Sequence, residues 1–134
     1  MASIFTKIIN GDIPCYKIAE NETCFAFLDI NPLQKGHTLV VPKVEVDRYF
    51  DLDPDTLSEL TVFSQQIAKA IKQAFPCDRV GTVVIGLEVP HAHVHLIPIN
   101  QMSDMDFRSP KLQLSKEEFG EIASRVKQAM GALL

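Results

Sequence analysis

The stretch between Pro54 and Pro76 constrains the fold more than any other part of this chain. Leu57, Leu60, Phe63, Ile67, Ile71 and Ala74 recur there at spacings of three and four, so they form one stripe along a helix. Asp53 before Pro54 is a cap followed by proline at the first helical position, and Phe75-Pro76 closes the helix. An apolar stripe of this kind has to lie on something, and the flanking sequence offers strands. Cys15 to Glu20 and Thr23 to Asp29 alternate around Glu20-Asn21-Glu22 and read as a hairpin. His37 to Pro42 is a short apolar run of strand type, and Arg79 to Gly86 and Ala92 to Ile99 are two more, rich in Val and Ile.

Two further helices complete the reading. Phe5 to Asn10 makes about one turn before Gly11-Asp12-Ile13-Pro14 breaks it. Lys116 to Met130 carries the stripe Phe119, Ile122, Val126 and Met130, and Ser115 with Glu118 forms a capping box at its start. Gln101 to Leu114 is polar and follows no period. The expectation is an α+β domain: an antiparallel sheet of about five strands, a long helix packed on it and an additional C-terminal helix.

Composition limits the functions open to such a domain. With 134 residues and 46% hydrophobic against 22% charged residues, the chain has the size of one globular domain, and no internal repeat or linker divides it. A net charge of -4 without any basic run argues against a phosphate-backbone binder, so no nucleic-acid partner is expected. No window approaches the ~20 apolar residues of a membrane span and Met1 to Asn10 has no leader pattern, so the expected setting is cytoplasmic, with no membrane partner. Cys15, Cys24 and Cys77 give neither a disulfide framework nor a zinc-ligand pattern.

Histidine departs from the average. Of four in the chain, three stand in Pro90-His-Ala-His-Val-His-Leu-Ile-Pro98. In a strand His91, His93 and His95 project from one face, ~6.5–7 Å apart, while Ala92, Val94 and Leu96 point into the core. A merely solvated strand face is the alternative, but such faces usually carry Thr, Lys or Glu. Metal binding needs three nitrogens converging on one ion, whereas neighbours along a straight strand diverge. Nucleophilic and acid-base catalysis needs one neutral imidazole aimed at an electrophile, with others to bind charge, and His37 is available as a fourth.

The run His91 to Ile97 resembles the signature of the histidine triad (HIT) family of nucleotidyl hydrolases and transferases. Ile4 to Pro14, Phe25 to Pro32 and Gly36 to Lys43 are similar to family blocks in the family order, so residues 1–100 are family-like and 101–134 form a C-terminal extension within a single domain, 1–134. The resemblance implies that His93 is a nucleophile attacking the α-phosphorus of a nucleotide, with His91 and His95 orienting it and contacting phosphate oxygens or the leaving group. It implies a phosphate-side role for His37, hydrogen bonds from ribose hydroxyls to Asp29, and an apolar slot for the base from Ile8, Ile13, Phe27, Ile30 and Leu39. Taken one by one, these five are ordinary core candidates and Asp29 an ordinary turn residue. The implied reaction is hydrolysis of purine nucleoside 5′-phosphoramidates by a homodimer. Cleavage of diadenosine polyphosphates, nucleotidyl transfer, or nucleotide or partner binding with little turnover are the alternatives.

The chain departs from the family pattern in two places. Where many members hold a structural zinc through Cys-x-x-Cys and a histidine, it has Ser3, Thr6 and Glu45, so no metal and no other cofactor is expected. The approach to the triad, Val83 to Pro90, is short, lacks the usual Asn, and has Leu87 in place of Gln. Gly86 can still offer its N–H to a phosphate, and Glu88 reads as a surface residue, although the resemblance places it where family members have a proton donor to the leaving group.

Overall fold

A computed structural model describes residues 2–133 of the chain. Five strands, β1 (Lys17–Glu20), β2 (Cys24–Leu28), β3 (Thr38–Pro42), β4 (Arg79–Val83) and β5 (Val94–Ile99), form one sheet in the order β1-β2-β3-β5-β4, antiparallel at every step. Helix α1 (Ile4–Ile9) precedes the sheet, α2 (Pro54–Ala74) links β3 to β4, and α3 (Lys116–Leu133) follows β5. The expected α+β architecture is the one observed.

The two-residue period of the strands sorts their side chains between two faces. Cys24, Ala26, Leu28, Val40, Val94 and Leu96 all face back, where Leu60, Phe63, Ile67 and Ile71 of α2 and Phe119, Ile122 and Val126 of α3 bury them in one core. Phe25, Phe27, Leu39 and Val41 face front and meet Phe5 and Ile8 of α1 in a second cluster. Register places Leu39 opposite Phe27 on one side and His95 on the other, so His95 belongs to the front face at the middle of the sheet.

The helix ends follow their caps. Asp53 accepts the N–H groups of Asp55 and Thr56 at 3.0 Å each, and Ser115 and Glu118 exchange bonds of 3.1 Å across the start of α3. Arg125 on α3 donates to the carbonyl of Ala74 at 2.6 Å and lies 4.4 Å from the centre of the Phe75 ring, so a cation sits at the negative end of α2 and ties the two helices together. Among the described residues no helix is long and apolar enough to cross a membrane.

Several boundaries differ from the sequence expectation. β4 ends at Val83 rather than Gly86, and β5 begins at Val94 rather than Ala92. Gly86 adopts φ +78°, which turns the chain out of the ladder, and the N–H of Ala92 donates to the carbonyl of Val46 at 2.7 Å, outside the sheet. α3 runs on to Leu133, and the aperiodic stretch after β5 holds one short 3-10 turn, Met102–Met105.

Candidate active site

His37 enters β3 directly after Gly36, whose φ of +98° suits only glycine; a Cβ there would stand 3.2 Å from the Phe75 ring. The turn carries the N–H of Leu33 to His37 Nδ1 at 3.0 Å. Nδ1 is therefore an acceptor, and Nε2 carries the proton. That Nε2–H donates to His95 Nδ1 at 2.9 Å, so His95 in turn carries its own proton on Nε2. A single backbone amide thus fixes the tautomers of two imidazoles in sequence. Asp29 Oδ2 lies 3.5 Å from His37 Nε2 and 4.0 Å from His95 Nδ1, while Oδ1 accepts the N–H of Asn31 at 2.8 Å.

His93 follows the opposite rule. Its Nδ1 lies 2.7 Å from the carbonyl of His91, which can only accept, so Nδ1 holds the proton and Nε2 keeps its lone pair. The His93 ring stands 5.2 Å from that of His95 and 5.0 Å, edge to face, from Phe5. One imidazole presents a bare nitrogen, and its neighbour presents an N–H.

His91 is placed differently from the sequence expectation. It lies before β5 and is fully buried. Nε2 donates to the carbonyl of Pro42 at 2.8 Å, and Nδ1 accepts the Ser3 hydroxyl at 2.7 Å. Both ring nitrogens are spent inside the protein, which leaves none for a phosphate or leaving group. The Ser3 hydroxyl also caps α1 by accepting the N–H of Thr6 at 3.0 Å. Glu45 Oε1 accepts the Ser3 N–H at 2.6 Å and the Thr6 hydroxyl at 2.7 Å. These bonds hold the Glu45 carboxyl down to about 2, first through the Ser3 N–H and then through Thr6. Ser3, Thr6, Glu45 and His91 thus form one knot that bolts α1 to the triad.

Burial dominates the electrostatics. It pulls His37 and His95 well below the ordinary imidazole value: the nearby Asp29 charge opposes this at His37, and the neighbouring imidazoles reinforce it at His95. His91 is lowered by burial as well, against the Pro42 carbonyl and Glu45. The pair and His91 are therefore neutral at pH 7, as the hydrogen bonds require.

Asp29, His37 and His95 bring one potential ligand atom each within 4.8 Å of one another. A metal there would need the His37 Nε2 lone pair, yet the Leu33 N–H occupies Nδ1 and leaves the proton on Nε2, so these donors do not suit a cation. The zinc position implied by the family resemblance does not fit either. It holds two hydroxyls and a carboxylate already paired with each other and with His91.

The structure brings together some of the residues expected to form an apolar slot. Ile8, Phe27 and Leu39 share the front cluster, with Ile13 packed against it, together with Phe5, Phe25, Val41, Cys15 and Val89, which the sequence did not single out. Ile30 lies outside the cluster and is 65% exposed. Gly86 and Glu88 are on the exposed loop before the triad, where nothing crowds the Gly86 Cα and Leu87 is 88% exposed. Sequence reading also missed Phe107, whose ring centre stands 4.9 Å from that of His95 and 6.1 Å from that of His37. No period marks it, because it comes from the irregular stretch after β5.

A five-stranded antiparallel sheet with His95 on an inner strand, His93 directly before that strand and His37 at the entry to the next defines the histidine triad architecture. The HIT domain matches residues 10–102, and the chain belongs to the HIT family. It is 34% identical over 133 residues to a Schizosaccharomyces pombe protein named adenosine 5′-monophosphoramidase, covering 95% of this chain and 100% of that one. A histidine triad nucleotide-binding protein of Sulfolobus tokodaii superposes with a TM-score of 0.85 at 30% identity, over 96% of this chain and 92% of that one. A zinc-bound histidine triad family protein of Mycobacterium smegmatis superposes at 0.83 with 27% identity, over 99% and 96%.

Proposed function

We propose that the chain hydrolyses purine nucleoside 5′-phosphoramidates in two steps through a nucleotide bound covalently to His93. The observation that carries this reading is the bond from His93 Nδ1–H to the His91 carbonyl at 2.7 Å, which leaves Nε2 with its lone pair on a ring 5.2 Å from that of His95, whose Nε2 carries the proton. In the first step the Nε2 lone pair forms a bond to the α-phosphorus as the P–N bond breaks, and the electron pair leaves on nitrogen. A nitrogen that arrives protonated departs as a neutral amine. The His93 ring becomes cationic, and the His91 carbonyl dipole already faces its Nδ1–H. His95 Nε2–H donates to a phosphoryl oxygen as charge builds there. In the second step water attacks phosphorus, the P–Nε2 pair returns to His93, and water's proton passes to solvent.

The nucleoside would lie along the front cluster, with its ribose hydroxyls donating to Asp29, whose Oδ2 has no full-length hydrogen bond of its own at 3.5 Å from His37. The fission-yeast relative's name supports the choice of a phosphoramidate. The same reading includes a homodimer, which would use α2 and the edge strand β4; sedimentation at micromolar concentration tests that part.

The test is to incubate the protein with adenosine 5′-phosphoramidate labelled in the adenosine, quench in alkali and map the label. Label on His93, with none in His93→Ala, is the expected result. AMP binding without turnover of phosphoramidates or dinucleotides would overturn the enzyme reading in favour of a binding module.

A further inference from the structure

The stretch from Ser103 to Leu114 lies beyond the matched family region, yet it folds back onto the site. Asp104 fastens its start by accepting the N–H groups of Asn100 at 2.8 Å and Gln101 at 3.2 Å. Its end is fastened where the N–H of Leu112 donates to the carbonyl of Pro32 at 2.8 Å, in the loop that leads to His37. Between these anchors the half-buried Phe107 ring stands nearly perpendicular to both His95 and His37, at 78° and 84° to their planes. The Lys111 ammonium donates to the carbonyls of Phe107 and Ser109, the latter at 3.2 Å, and stands 5.8 Å from the ring centre. The strap is thus held at three points around one aromatic side chain.

We propose that Phe107 is a positioning residue: its ring shuts water away from the His37–His95 pair and so keeps the His95 Nε2–H directed at the phosphoryl group. The part concerning His95 rests on the proposed function; the part concerning the pair does not. The physical ground is competition for hydrogen bonds. Water reaching the gap would offer His37 Nε2–H another acceptor and His95 Nδ1 another donor, and the 2.9 Å bond joining the rings would lose its advantage. Around the pair, the Asp29 carboxylate favours a proton, while Lys111, the neighbouring His93 and burial oppose one. Removing the ring weakens burial, the largest of these.

The experiment compares native protein, Phe107→Ala and Phe107→Leu by imidazole proton and nitrogen magnetic resonance across pH and by turnover of adenosine 5′-phosphoramidate. Native protein should show a slowly exchanging imidazole N–H from the pair and a pair that titrates below the ordinary imidazole range. In Phe107→Ala the N–H should broaden and the titration move up, and kcat should fall ~10- to 100-fold with KM little changed, as for a misplaced catalytic group. Leucine, which reaches nearly as deep, should restore both. A pair that titrates in Phe107→Ala as in native protein overturns the proposal. Should the alanine variant fail to fold, Phe107→Val replaces it, with the same two readings. If native protein shows no turnover, the functional reading fails while the imidazole readings still decide the role of Phe107.

Discussion

The carbonyl oxygen of His91 stands 2.7 Å from Nδ1 of His93, so the main chain two residues upstream sets which nitrogen of the proposed nucleophile is bare. A carbonyl cannot donate and cannot titrate near neutral pH. The neutral His93 ring is therefore held in one tautomer, without a carboxylate partner.

This separates two substitutions in the same triad. His93→Ala removes the attacking atom and should lower kcat at least ~10³-fold with folding intact. His91→Ala keeps the carbonyl but loses the bonds to Pro42 and Ser3, leaving their buried partners unpaired. It should destabilise the protein by ~1–3 kcal/mol and reduce kcat only ~10- to 100-fold. Urea melts and steady-state rates on both variants check this; equal catalytic losses would show that the His91 ring itself touches substrate.

The knot beneath the triad gives a graded series. Ser3→Ala strands His91 Nδ1 in a buried place and should cost ~1–3 kcal/mol. Glu45→Ala releases both the Ser3 N–H and the Thr6 hydroxyl and should slow turnover several-fold by loosening α1, with Glu45→Gln close to native because its amide oxygen still accepts. A Glu45→Gln rate as low as that of Glu45→Ala would mean that the charge, not the geometry, is what matters.

Stability should fall as the solution is acidified below about the ordinary imidazole value of 6.5. Burial holds His37, His95 and His91 below that value in the folded state, whereas the unfolded chain takes up their protons freely near it. The unfolded state then binds more protons, and stability rises with pH by at most ~1.4 kcal/mol per pH unit for each such imidazole. The loss continues on acidification until the native rings themselves protonate. Urea midpoints between pH 5 and 8 should show this slope, and His37→Asn should reduce it. A midpoint flat across that window would mean that these rings take up protons in the fold just as they do in the unfolded chain.

Chelators should leave activity unchanged, and metal analysis of protein purified without chelator should give no stoichiometric zinc. The reason is the occupancy of the donors: Leu33 N–H on His37 Nδ1, Ser3 hydroxyl on His91 Nδ1 and Pro42 carbonyl on His91 Nε2. One zinc per chain would refute it.

Much of this architecture was legible from periodicity. The alternation of histidine with Ala92, Val94 and Leu96 sorts the front face from the back, and the Leu57 to Ala74 stripe finds the sheet it needs, because both depend on local backbone geometry alone. His91 misleads because its surroundings are the loop after β3 and the N-terminus, which no local pattern reports. Ile30 lies outside the front cluster and is exposed, which an apolar side chain next to Asp29 does not reveal in sequence. Phe107 and Glu45 act through contacts set by tertiary folding, and neither lies in a periodic segment.

Ser3 and His91 are separated by 88 residues, and His37 and His95 by 58. Closing a flexible loop costs entropy that grows as (3/2)RT ln n, or ~0.6 kcal/mol for each doubling of length, and contacts this distant form only after shorter ones have gathered the chain. The hydrogen bonds that join Ser3 to His91 and His37 to His95 therefore belong among the last to form. While the chain is being synthesised no shorter precursor can hold a working centre, because α1 has to wait for β5, and β5 for the strap that follows it.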